Sequence, residues 1–73
     1  MAKHEIKSEV TGSVWKVLVA PGQKVAADET LMLIESMKME IPVICEDDCT
    51  VLELRASEGD PVSEGAVLAI VAM

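Results

Sequence analysis

Apolar positions along the chain fall in short runs separated by polar turns. Residues 14 to 19 (Val14-Trp15-Lys16-Val17-Leu18-Val19) and 51 to 54 (Val51-Leu52-Glu53-Leu54) alternate or run apolar and are rich in β-branched side chains, the mark of half-buried strands. Each is followed by a glycine turn, Pro21-Gly22-Gln23-Lys24-Val25 in one case and Glu58-Gly59-Asp60-Pro61-Val62 in the other. A short polar stretch and a second apolar run then follow. Pro21-Gly22 suits the centre of a type II turn, because Pro presets the first φ and Gly accepts a positive second φ.

The two stretches are copies. Gly59 follows Gly22 by 37 positions, and at that offset Val14 meets Val51, Val17 meets Leu54, Val25 meets Val62, Leu31 meets Leu68, Leu33 meets Ile70 and Ile6 meets Val43. Apolar thus matches apolar where strands face inward. Two copies of one supersecondary unit, each burying its apolar face against the other, explain such a match. Each half reads as strand, strand, turn, short strand, strand. The expected fold class is all-β: a flattened barrel or sandwich of two pseudo-symmetric four-stranded halves.

Residues 28 to 40 resist that reading. They are good helix formers, Leu33, Ile34, Met37 and Ile41 fall at helical spacing, and Asp28 would serve as an N-cap. The repeat overrides propensity, since Leu31 to Ile34 correspond to Leu68-Ala69-Ile70-Val71, a strand by length and branching. Strands 31 to 34 and 41 to 44 then flank residues 35 to 40, which must turn the chain without Gly, Asn or Pro. A turn that breaks the local rule is a place to look for function.

Composition narrows the classes. A chain of 73 residues suits one domain spanning 1–73, and an apolar share of 51% suffices for a core. Trp15 is the lone aromatic residue, so a stacking surface for bases is not expected. With 13 acidic against 6 basic residues and a net charge of −7, neither nucleic acid nor an anionic membrane is an expected partner. The acidity reads first as a solvated surface that keeps a small module soluble. The charged start Met1-Ala2-Lys3-His4-Glu5 has no apolar signal segment, and the longest apolar run, Ala66 to Met73, is too short to span a bilayer. A cytoplasmic location is expected, or an organelle matrix if the domain is cut from a larger chain.

Cys45 and Cys49 stand four apart, with His4 distant in sequence. Two Cys and one remote His do not make the four-ligand set of a zinc site, and the spacing is not that of a redox pair. They read as ordinary buried or half-buried thiols.

Glu35-Ser36-Met37-Lys38-Met39-Glu40, placed between the strand repeats with a glycine turn on either side, resembles the attachment motif of biotinyl domains, the biotin carboxyl carrier type of the biotin/lipoyl attachment family. The resemblance covers roughly Val10 to Val71. It implies that a biotin protein ligase joins biotin to the Lys38 amine, in an exposed hairpin turn. Lysine amines are almost fully protonated at neutral pH, so the ligase must help deprotonate and position the nucleophile. It further implies that a biotin carboxylase loads carboxylate on the ureido nitrogen and that a carboxyltransferase passes it to an acceptor such as an acyl-CoA, pyruvate or urea. Met37 and Met39 would help the ligase recognise the domain. In related lipoyl domains the target Lys usually lies between Asp and Ala.

Glu35, Ser36 and Glu40 flank the hairpin. No acid–base partner accompanies the two carboxylates and no triad accompanies Ser36, so a non-catalytic carrier is expected. Against the family pattern, Cys49 stands where Gly12 predicts a glycine, and Asp28 where Gly65 does; Asp tolerates the left-handed conformation better than most residues. No thumb-type insertion or Pro/Ala-rich linker is evident, which fits a minimal free-standing carrier or an excised domain, the initial Met favouring the first. Shifting Lys38 by 37 reaches the chain start, so the termini should meet opposite the hairpin. A lipoyl carrier and an unmodified interaction module of the same fold are the alternatives.

Overall fold

The computed structural model describes residues 2–73. Its elements are β1 (Lys3–Lys7), β2 (Gly12–Val17), β3 (Lys24–Val25), β4 (Thr30–Ser36), β5 (Met39–Ile44), β6 (Cys49–Leu54), β7 (Pro61–Val62) and β8 (Val67–Ala72). They form two antiparallel four-stranded sheets, in the orders β1-β8-β6-β3 and β5-β4-β2-β7. The all-β expectation holds, and each sequence half supplies four strands. The sheets are not the halves, however: each sheet takes two strands from each repeat. Neither half can therefore bury its apolar face without the other.

Besides the β4–β5 hairpin, two related pairs of tight turns connect the strands. Gln23 N–H donates to Ala20 O and Asp60 N–H to Ser57 O, closing turns in which Gly22 and Gly59 have φ of 88° and 90°. The other related pair is closed by Glu29 N–H to Ala26 O and Ala66 N–H to Ser63 O. There Asp28 (φ 66°) stands in for Gly65 (φ 87°), so the departure at position 28 leaves the turn intact.

The bulges repeat as well. Trp15 and Leu52 are extra residues in β2 and β6 relative to β4 and β8, and Leu31 and Leu68 are extra in β4 and β8 relative to β5 and β1. A bulge resets the in–out alternation. Leu31 and Met32 are thus both buried, as are Leu68 and Ala69, while Leu33 and Ile70, expected to face inward, are half-buried. Ile34 and Val71 take the inward positions instead.

The core has two centres. Val14, Met32, Ile34, Ala56, Val62 and Leu68 pack in one, and Val25, Leu31, Cys45, Cys49, Val51 and Val71 in the other. The 37-residue shift exchanges them: Val14 for Val51, Ile34 for Val71, Leu31 for Leu68 and Val25 for Val62. The centres lie in an elongated body of 35 × 17 × 17 Å. At the second centre Ala2 and Met73 exchange both backbone hydrogen bonds, each 3.1 Å, and Met73 packs on the core there. This pair is the repeat counterpart of Met39 and Ser36, which close the β4–β5 hairpin beyond the first centre.

Cys45 and Cys49 are free and buried, as the sequence suggested. Burial, a hydrogen bond with Cys45 and the nearby Cys45 and Asp48 push the Cys49 thiol up to about 11 from an ordinary 9.0. The folded state then holds a proton that the unfolded chain has released. The stabilising term is full below pH 9 and is lost as pH rises toward 11. Urea unfolding at stepped pH should show stability falling across that window, and Cys49→Ala should flatten the fall.

Candidate functional site

The β4–β5 hairpin carries the six residues singled out in the sequence, but only two of them turn the chain. Glu35 pairs with Glu40 and Ser36 with Met39 as regular strand partners. Residues 35 to 40 were expected to turn together; the turn is Met37-Lys38 alone, because the flanking residues extend the ladder. Met37 and Lys38 have φ of 53° and 66°. Positive φ at both central positions is the type I′ geometry, whose twist matches that of antiparallel strands. Asn-Gly normally fills it, whereas a side-chain-bearing residue in the left-handed region costs about 1–2 kcal/mol. Met37→Asn should therefore raise stability by about 1 kcal/mol or less in thermal unfolding. A gain would show that Met37 is retained at the expense of stability.

The turn projects its side chains. Met37 is 92% exposed and Met39 64% exposed, and Lys38 is exposed between them. Among the described residues Lys38 takes part in no ion pair. Met side chains are apolar and adaptable, so Met37 and Met39 leave a soft contact surface on either side of the amine. Glu35 and Glu40 lie opposite each other at the hairpin base, both exposed. Like charges in cross-strand register disfavour the pair, and here they give the base of the turn a concentrated negative charge.

The hairpin is braced from below. Ser36 Oγ donates to the Thr11 carbonyl at 2.8 Å, and Thr11 Oγ1 accepts from Glu64 N–H at 3.1 Å. A Cβ on Gly12 would fall against the Glu35 carbonyl oxygen and lie 3.1 Å from Ser36 Cβ. Strand β2 can approach β4 this closely only because position 12 has no side chain. No motif in the sequence marks Thr11. Gly12 does carry a signal, because the repeat pairs it with Cys49 and glycine is demanded at the hairpin end alone.

This geometry fits a covalently carried group. It offers one primary amine at the apex of a braced two-residue turn, open to solvent and free of competing side-chain partners among the described residues. No cluster of three or more His, Cys, Asp or Glu side chains suited to a metal is found among the described residues. No helix there is long and apolar enough to cross a membrane.

Comparison with known proteins gives the family. The chain is 38% identical over 63 residues to the "Biotin/lipoyl attachment protein" of Bacillus subtilis (strain 168), covering 86% of each. It is 34% identical over 67 residues to the "Biotinylated protein TB7.3 homolog" of Mycobacterium leprae, covering 92% of this chain and 94% of that one. Among solved structures, the Kluyveromyces lactis urea carboxylase matches at 30% identity and a TM-score of 0.90 over 99% of this chain and 6% of that one. A single-chain, multi-domain long-chain acyl-CoA carboxylase shares the fold, with a TM-score of 0.91 at 21% identity over 96% of this chain and 7% of that one. In both carboxylases the match is thus to one small part of a long polypeptide. The family model described as "Biotin-requiring enzyme" matches residues 3–71, and the protein belongs to this biotin/lipoyl attachment family.

Proposed function

We propose that the protein is a biotin carboxyl carrier. Lys38 is biotinylated by a biotin protein ligase and travels between the biotin carboxylase and carboxyltransferase sites of a carboxylase, such as an acyl-CoA carboxylase, in the cytoplasm or an organelle matrix. The observation that carries this reading is the Met37-Lys38 turn. It holds two side-chain-bearing residues at positive φ where Asn-Gly would be more stable, and so keeps the amine at the apex. Biotin, when bound, supplies a ureido nitrogen that takes up and releases carboxylate. Everything else required of the domain is mechanical.

Lys38 provides the amine that becomes the amide tether, and its four-carbon stem extends reach. The Ser36–Thr11 hydrogen bond and the close approach at Gly12 fix the direction of the hairpin. Met37 and Met39 offer apolar contact to the ligase. The Glu35–Glu40 pair favours a basic surface opposite it, and with no acid–base partner beside it serves docking rather than catalysis. Ala2 and Met73 pair at the other core centre, away from the hairpin. Tethering in this way raises the local concentration of the carried group.

The name of the B. subtilis relative supports a second reading, a domain that accepts lipoate. The two separate when the ligase-treated protein is incubated with biotin carboxylase, ATP and labelled bicarbonate. Label on the wild-type protein, absent from Lys38→Arg, is expected of a biotin carrier. An unlabelled but lipoylated product would instead assign the protein to lipoate-dependent enzymes.

A further inference from the structure

At three positions the repeat exchanges a small residue for one that carries sulfur. Ser8, Gly12 and Ser36 occupy three positions near the Lys38 end, and their counterparts 37 residues on are Cys45, Cys49 and Met73. All three replacements carry sulfur, and the fold gathers them. Cys45 and Cys49 are buried in the second core centre and Met73 packs against it. The Cys45 Sγ lies 3.5 Å from the Met73 Sδ, and Cys49 packs in the same buried cluster as Cys45. Three soft donors thus meet where the β5–β6 crossing between sheets reaches the end of β8.

We propose that Cys45, Cys49 and Met73 form a binding site for a soft monovalent d10 cation, Cu(I) or its analogue Ag(I). Thiolate and thioether sulfur select such ions, and no hard oxygen ligand is required. The donor number matches, since two thiolates and one thioether make a three-coordinate all-sulfur set. Metal–sulfur bonds of about 2.3 Å put neighbouring ligand sulfurs roughly 4 Å apart. The Cys45–Met73 contact of 3.5 Å therefore has to open by only about half an ångström at such a bond length. The Met73 thioether is flexible, so that adjustment is small.

There is a way in. Cys49 borders an open groove with Lys24, Val25, Glu29, Asp48 and Thr50, and the carboxylates of Glu29 and Asp48 favour an entering cation. Binding is an exchange without redox change. One Cu(I) enters, two S–H bonds break, two metal–thiolate bonds form, and two protons leave to solvent; Met73 adds a neutral third bond. The metal would clamp the β5–β6 crossing to the end of β8, at the end of the molecule remote from Lys38. The site does not depend on the modification of that residue.

The test is an anaerobic titration of the whole protein against Cu(I) held by a chromogenic chelator, followed by copper X-ray absorption of the product. Withdrawal of one equivalent, with three sulfur neighbours in the absorption spectrum, is expected. Cys45→Ala with Cys49→Ala should withdraw none. If that double variant does not fold, Met73→Leu decides, because Leu keeps the packing volume; affinity should fall about tenfold, with two sulfur neighbours remaining. No withdrawal by the wild type, equal withdrawal by the double alanine variant, or unchanged affinity and sulfur count in Met73→Leu would overturn the three-sulfur site.

Discussion

Lys38→Arg should take up no biotin from ligase, ATP and biotin, and should unfold at the same temperature as the parent protein. The reason is geometric as well as chemical. The protein's other lysines, Lys3, Lys7, Lys16 and Lys24, sit on strands, where pairing holds the backbone flat against the body. Lys16 lies over the Trp15 ring, 4.8 Å from its centroid. Lys38 alone among them projects from a two-residue turn. Arginine keeps the charge and the stem, but its guanidinium remains protonated and does not acylate under conditions that modify an amine. The side chain is exposed, and Arg at positive φ bears the same penalty as Lys, so stability should change by no more than about 0.5 kcal/mol. Streptavidin blotting with thermal unfolding checks both halves. Residual incorporation would locate attachment on another lysine.

Gly12→Val should be the most damaging single change outside the core. A Cβ at position 12 falls against the Glu35 carbonyl oxygen and within 3.1 Å of both the Glu35 carbonyl carbon and Ser36 Cβ. Two of these atoms are backbone, so no rotamer relieves the contact, and the branched side chain adds two more methyl groups. Relief requires β2 to separate from β4. That would stretch the Ser36–Thr11 hydrogen bond and break the pairing of Gly12 with Val62 and of Ser13 with Glu35. Overpacking of this kind costs about 3 kcal/mol or more. A domain of this size has roughly 4–11 kcal/mol in all. Chemical denaturation should show the loss, and biotin incorporation into the remaining folded protein should slow, because the base of the Lys38 hairpin has moved. Cys49→Val at the related position is the control for generic crowding. The second repeat already accepts a Cβ there, so its loss should be smaller.

The repeat made the fold legible. Gly22, Gly59 and Gly65 sit at positive φ in the tight turns, and glycine there reports backbone geometry directly. The same rule hid the extent of the hairpin. Met37 and Lys38 adopt I′ geometry without the residues that announce it, so 35 to 40 read as one long turn instead of two residues between extended strands. Alternation misplaced Leu33 and Ile70, because the bulges at Leu31 and Leu68 shift the phase within β4 and β8. A bulge leaves no compositional trace when the extra residue is as apolar as its neighbours. Bracing of the hairpin by Thr11 joins residues 25 apart in sequence, and the Cys45–Met73 contact joins residues 28 apart. Contacts of that range come from sheet packing, which periodicity does not encode. Lys38 itself was found through the resemblance of its neighbours to an attachment motif and through its place at the midpoint of the repeat.

The most direct measurement is the intact mass of the wild-type protein after co-expression with a biotin ligase, followed by peptide mapping. A single biotin increment, mapped to the peptide containing Lys38, is the expected result. A folded protein that shows no increment, or one whose biotin maps to a different lysine, would contradict the assignment of Lys38 as the carrier residue.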